Sequence, residues 1–256
     1  MHRLKRIINN RVAIILAHGK SIKGLETKIQ DLKKYDICYC SLGVFPVMEK
    51  YILNKINKSL DIVFDCASIP KSKLENYENN VRLPRLAEFL ERDKDNLWIT
   101  TQGIIRDSIV GINRGDFTDR FHEKIFILDS LFPRKEIGYW MSVPNSTTLL
   151  IASLMSGGAR RIILCGYDGY LGEYTTGANS YYHSEYIKEE RRILLNSLLD
   201  YGINRDTEAF EQKFPNLYKV YCDYFKCNTP IYNCSFNSIY TVLPKIKYNE
   251  LEQYLI

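Results

Sequence analysis

The sequence predicts an open, mostly parallel, Rossmann-like α/β sheet with helices on both faces and a lid loop, and three observations carry that expectation. First, two short β-rich runs, Val12 to Ala17 and Ile37 to Ser41, flank a stretch from Leu25 to Lys34 whose apolar residues recur at helical spacing. That order is the strand-helix-strand unit from which parallel sheets are built. Second, the apolar, small-residue stretch Thr147 to Gly157 ends in Gly157-Gly158 and leads into Arg161 to Cys165, an apolar strand that stops at Gly166. A helix so terminated, feeding such a strand, reads as a central and buried pair. Third, residues 169 to 184 hold glycine, threonine, asparagine and several tyrosines without aliphatic periodicity. Long loops of this kind are usually functional or disordered, and the segment reads as a mobile lid over a site.

The other elements follow in order. Asp61 to Cys66, Leu97 to Thr101 and Lys124 to Leu128 read as a third, fourth and fifth strand, separated by polar helices or loops. A charged helix is expected from Glu185 to Tyr201, and Leu217 to Cys222 and Pro230 to Cys234 read as edge strands. His2 is expected to be disordered. No repeat or low-complexity linker interrupts the chain, and its 256 residues suit one core, so residues 1–256 are expected to form a single nucleotide-binding transferase domain.

Composition narrows the function. The formal net charge of +5, from 35 basic and 30 acidic residues, is mild and dispersed. It gives no basic patch for nucleic acid and suits an enzyme that handles an anionic substrate. Seven cysteines, at positions 38, 40, 66, 165, 222, 227 and 234, include no CxxC pair and sit mostly in apolar runs. They read as reduced thiols, which implies a reducing, cytoplasmic compartment. The apolar run after the basic N-terminus is too short for a signal-peptide core or a membrane span, leaving peripheral attachment at the inner membrane face, and homo-oligomerisation, open.

Two strand ends offer chemistry. The first strand runs into Ala17-His18-Gly19-Lys20-Ser21-Ile22, which places a glycine and a hydroxyl just before a helix. There the glycine would let backbone N–H groups approach a phosphate or ribose; the plainer reading is a tight turn with Ser21 as a cap. The most apolar strand ends in Cys165-Gly166-Tyr167-Asp168-Gly169-Tyr170, at the sheet edge where open α/β folds place ligands. Asp168 could equally cap a turn. Tyr170 and Tyr174 could donate phenolic hydrogen bonds to a leaving phosphate without a metal. His183 closes the tyrosine-rich loop, and an unperturbed imidazole titrates in the range of a general base; His18 and His122 are weaker candidates. Asp93-Lys94-Asp95 has the spacing of a cation-binding Asp-x-Asp, but it lies in a charged run that reads as a solvated helix end. No zinc spacing and no nucleophile elbow is present, so no metal and no bound cofactor is expected.

Four pieces, in this order, resemble one family. Ile15-Leu16-Ala17-His18-Gly19-Lys20-Ser21-Ile22-Lys23 is similar to a first-strand Gly-Pro-Ser-Leu turn, with Lys20 at the usual proline. Asn145-Ser146 opens a small-residue helix that leads to Gly166-Tyr167-Asp168-Gly169-Tyr170, similar to Gly-x-Asp-x-Tyr. His183 follows, and Ile231-Tyr232-Asn233-Cys234-Ser235-Phe236-Asn237-Ser238 resembles a closing Asn-Ser turn. Together they resemble the bacterial sialyltransferases of the lipooligosaccharide type and the related domain of 6-hydroxymethylpterin diphosphokinases and motility-accessory-factor glycosyltransferases.

The resemblance implies an inverting, metal-independent glycosyltransferase of cell-surface polysaccharide biosynthesis. Its partners would be a nucleotide-sugar donor, a CMP-linked acidic sugar, and a glycan acceptor. His183 would deprotonate the acceptor hydroxyl, and Tyr170 and Tyr174 would stabilise the departing phosphate. His18, Gly19, Ser21, Ser41, Asp65, Asn145, Ser146 and Asp168 would line the nucleotide. Around the cytidine, where the sialyltransferases use asparagines, this chain has His18, Ser41 and Asp65 or Cys66. Two rivals follow: an ATP-dependent diphosphokinase with Mg²⁺ held by carboxylates such as Asp65 and Asp168, and a non-catalytic nucleotide-binding module.

Overall fold

The computed structural model describes residues 2–17, 19–42, 52–64, 83–100, 114–128, 131, 146–168, 203–235 and 238–256. Seven strands, β1 (Val12–Leu16), β2 (Ile37–Leu42), β3 (Ile62–Phe64), β4 (Leu97–Thr100), β5 (Ile125–Ile127), β6 (Arg161–Cys165) and β7 (Ile231–Asn233), form one sheet in the order β5-β4-β3-β2-β1-β6-β7. Every pairing is parallel. The helices are α1 (His2–Ile8), α2 (Lys23–Glu26), α3 (Leu83–Arg92), α4 (Arg114–Phe121), α5 (Ser146–Ser156) and α6 (Ile203–Phe225). This is the open α/β architecture that the strand-helix alternation anticipates, with no antiparallel member among the described residues.

The alternation of side chains along each strand splits the core into two layers. Val12, Ile14 and Leu16 face the side covered by Ile22, Leu25, Leu86, Phe89 and Leu251, whereas Ala13, Ile15 and Ala17 face α1, α5 and α6. Both faces of β1 and β6 are therefore buried, and a fully buried Ile or Leu there is worth about 2 kcal/mol. α5 ends in a Schellman-type turn, in which Gly158 N–H donates to Met155 and Ala159 N–H to Leu154, both at 3.0 Å. The glycine pair stops the helix as its position implies.

Three local expectations fail. Leu217 to Cys222 is not an edge strand but part of the 23-residue helix α6. Phe210, Phe214, Leu217 and Tyr221 are all buried, and their spacing lays one helical stripe on α5. Leu25 to Lys34 is not one continuous helix: α2 covers four residues, and a 3-10 turn at Asp31–Lys34 finishes the connection. His2 is not disordered but opens α1, which is held by the buried Leu4, Ile7 and Ile8.

At the amino ends of the strands, Arg11 ties four segments together. Its Nη2 donates to the Ile37 carbonyl at 2.6 Å, and its Nη1 donates to the Ile7 carbonyl at 2.8 Å and to Asp61 Oδ1 at 3.2 Å. Asp61 Oδ2 accepts from the Tyr39 N–H at 2.8 Å. Burial pushes the Asp61 carboxyl above its ordinary range, opposed by the Arg11 charge and the Tyr39 N–H. Among the described residues no helix is long and apolar enough to cross a membrane.

Candidate functional site

From β1 the connections move outward through β2, β3, β4 and β5, while β6 and β7 lie on the other side of β1. The sheet therefore changes winding direction between β1 and β6. In open α/β sheets the crevice outside the strand carboxyl ends at that point is where ligands bind. Here it lies between the chain leaving β1 at Ala17 and the chain leaving β6 at Gly166.

These two strand exits run together beyond the sheet. Ala17 N–H donates to the Cys165 carbonyl at 2.8 Å and Gly19 N–H to the Gly166 carbonyl at 2.9 Å. A Cβ on Gly19 would come within 2.5 Å of both the Gly166 carbonyl oxygen and Asp168 Oδ2, so a side chain there would force the loops apart. Gly166 has φ 72°, in the left-handed region, and a Cβ on it would meet the Ala17 carbonyl oxygen at 2.8 Å. Two glycines thus permit the approach that defines the crevice floor.

Asp168 is held there by Ser21. Oδ2 accepts the Ser21 N–H at 2.8 Å, and Oδ1 accepts the Ser21 hydroxyl. The Ser21 and Ser235 hydroxyls are 2.9 Å apart. The backbone beneath is equally fixed: Ile239 N–H donates to the Asp168 carbonyl at 3.0 Å, and Asn233 Nδ2 donates to the Tyr167 carbonyl at 3.0 Å while its Oδ1 accepts from Ser235 N–H. The C-terminal segment supplies Tyr248, whose hydroxyl accepts the Gly166 N–H at 3.3 Å. Burial, with the Cys165 and Cys234 thiols close by, drives the Tyr248 phenol well above its ordinary range, so it is neutral. Cys165, hydrogen-bonded to Cys234 and buried, is likewise a protonated thiol.

The structure brings together Gly19, Ser21 and Asp168, although 147 residues separate Ser21 from Asp168. Ser146 opens α5. Since the turn that closes α5 runs to Gly158, whose carbonyl accepts from Asn10 at the amino end of β1, the 11 residues of the helix, rising about 1.5 Å each, start toward the carboxyl edge that holds the crevice. Ser41 is different: it lies inside β2 rather than after it and is fully buried, with its hydroxyl 3.4 Å from the Leu42 carbonyl. It is a buried residue near the carboxyl end of β2. His18, Asp65, Cys66, Asn145, Tyr170, Tyr174 and His183, the 169–184 lid and the helix at 185–201 lie outside the described residues.

The geometry also corrects the role expected of the first turn. The Gly19 N–H is taken by Gly166 and the Ser21 N–H by Asp168, so neither is offered to a phosphate; the Asp168 carboxylate already occupies that position. The contacts of Asp168 are long-range, to a residue 147 positions away in the chain. Asp93 and Asp95 are exposed, Asp95 being paired with Arg6 at 3.1 Å, and no cluster of three or more potential metal ligands occurs among the described residues. Ser235 and Tyr248 were not anticipated. The resemblance touches Ser235 through its closing turn, but Tyr248 carries no local signal in a polar C-terminal stretch.

No family model matches the chain, and no curated protein sequence matches it.

Proposed function

We propose that the chain is a transferase that takes a nucleotide-linked donor in the β1/β6 crevice, as an inverting, metal-independent glycosyltransferase that moves an acidic sugar from its CMP ester to a glycan hydroxyl. The observation that carries the reading is the meeting of Gly19, Ser21 and Asp168 at the switch point of a parallel sheet. In the reaction the acceptor oxygen would form the new bond to the anomeric carbon and pass its proton to His183. The bond from that carbon to the phosphate oxygen would break with its electron pair, and Tyr170 and Tyr174 would donate hydrogen bonds to the departing phosphate. A positioned base is worth roughly 10²- to 10⁴-fold in rate. The six described cysteines are free thiols, which suits a reducing compartment.

Thermal-shift measurements with CMP, UDP, GDP and ATP, each with and without Mg²⁺, test the proposal. A ligand at a hundred times its Kd adds about 2.7 kcal/mol of stability. Stabilisation by CMP independent of Mg²⁺ is expected; stabilisation by ATP alone and only with Mg²⁺ would replace the glycosyltransferase by the diphosphokinase, and no response to any nucleotide would remove both.

A further inference from the structure

Resting on the nucleotide reading of the crevice, we infer that Asp168 reads hydrogen-bond donors and turns phosphate away from the β1 turn, so that a bound nucleotide places its hydroxyl- or amino-bearing part against Asp168 and its phosphate elsewhere. Parallel α/β folds commonly use the turn after the first strand as an anion cradle, where free N–H groups face the ligand. In this chain a side chain of the protein has taken that place. Asp168 Oδ2 holds the Ser21 N–H at 2.8 Å and Oδ1 holds the Ser21 hydroxyl, while Gly19 N–H is spent on Gly166. A phosphate brought to the same turn would meet a fixed negative charge and no free Gly19 or Ser21 donor.

The same contacts leave Asp168 able to accept more. A carboxylate has about four lone-pair positions, and two are engaged by Ser21. Among the described residues no Lys, Arg or His pairs with it, and it is only partly buried. Its orientation is fixed on both sides, by Ser21 at the carboxylate and by Ile239 N–H at its own carbonyl. Ser21 is in turn set by Ser235 at 2.9 Å. Among the described residues no cation neutralises this pre-oriented carboxylate, and such a group at a crevice floor selects ligand O–H and N–H groups, because removing one leaves the acceptor unpaired. The ribose diol and the exocyclic amine of a base are two sources of that chemistry.

Calorimetric titration of the intact protein and of Asp168→Asn with CMP, UMP, dideoxy-CMP lacking both ribose hydroxyls, and pyrophosphate tests the inference, with the Gly19 and Ser21 amide resonances locating each ligand. The wild type is expected to lose about tenfold or more in affinity either from CMP to dideoxy-CMP, if the ribose is read, or from CMP to UMP, if the amine is read. Asp168→Asn should lose that discrimination and bind pyrophosphate at least about tenfold more tightly than the wild type. Pyrophosphate that shifts the Gly19 and Ser21 amides of the wild type, or discrimination that survives in Asp168→Asn, would overturn it. Should Asp168→Asn fail to fold, the wild-type amide shifts decide alone. A wild type that binds no nucleotide sinks the proposed function, while the pyrophosphate comparison still decides the part played by Asp168.

Discussion

The ring of Tyr248 lies directly on Gly24, so close that a Cβ at position 24 would fall inside the van der Waals surface of the ring. The contact joins the C-terminal segment to the helix that follows β1, and the same tyrosine accepts the Gly166 N–H at 3.3 Å. One residue therefore braces the β1 exit and the β6 exit at once. Gly24→Ala should destabilise the protein by about 1–3 kcal/mol, the usual cost of overpacking. Tyr248→Phe keeps the ring but strands the Gly166 N–H and should cost about 1–3 kcal/mol. Urea denaturation checks both, and unchanged midpoints would show that the C-terminal segment is not part of the crevice support.

The Arg11 network at the opposite end of the sheet makes a pH prediction. Burial raises the Asp61 carboxyl above its ordinary value of 3.8 despite Arg11. A group raised on folding favours the folded state fully only below its unfolded value, and this contribution is lost as pH rises through the folded value. Arg11→Met removes a charge that holds Asp61 down, so the folded value climbs further and the loss widens. The variant should be less stable by roughly 2 kcal/mol near neutrality, below the 3–5 of a fully buried pair because about a quarter of each side chain stays in water. The deficit should shrink on acidification, as Asp61 takes up a proton. Denaturation midpoints at neutral and acid pH measure this; an equal deficit at both would assign the cost to packing.

Much of this architecture was legible in the sequence because parallel strands buried on both faces read as unbroken apolar runs, as Val12 to Leu16 and Ile162 to Cys165 do. The error at Leu217 to Cys222 arose because Tyr218, Val220, Tyr221 and Cys222 have strand-like character and Pro215 reads as a helix break. The i, i+4, i+7, i+11 spacing from Phe210 to Tyr221 was present and outweighs them once α5 supplies a surface to cover. At the site, Gly19, Ser21 and Asp168 stood out because they sit at the carboxyl ends of two apolar strands, where open parallel sheets place their ligands. Tyr248 was illegible because its partners, Gly24 and Gly166, lie far away in the chain.

Gly19→Ala tests the crevice floor. Its Cβ would press on Asp168 Oδ2 and the Gly166 carbonyl at 2.5 Å, and only displacement of one strand exit relieves both contacts. Overpacking should cost about 1–3 kcal/mol of stability. It should also move Asp168 off Ser21, so nucleotide-induced stabilisation should fall by more than the loss of stability accounts for. A variant that is destabilised yet keeps the full nucleotide response would place the binding site away from this turn.

The last prediction concerns His183, which the resemblance assigns as the base. A base acts on the acceptor proton in the transition state and makes no ground-state contact with the nucleotide, so its removal should separate chemistry from binding. His183→Ala should lower kcat by roughly 10²-fold or more, with the CMP affinity measured by titration nearly unchanged. Tyr170→Phe should also lower kcat, through the loss of a hydrogen bond to the departing phosphate, but should leave the acidic limb of the pH profile in place if that limb belongs to the histidine. The two variants together discriminate, because a general disturbance of the loop would lower both rates and weaken nucleotide binding in each. Full transfer activity in His183→Ala with an unaltered pH profile would take the histidine out of the mechanism. Nucleotide binding without transfer in the wild type, tested over a range of glycan acceptors, would favour the non-catalytic module.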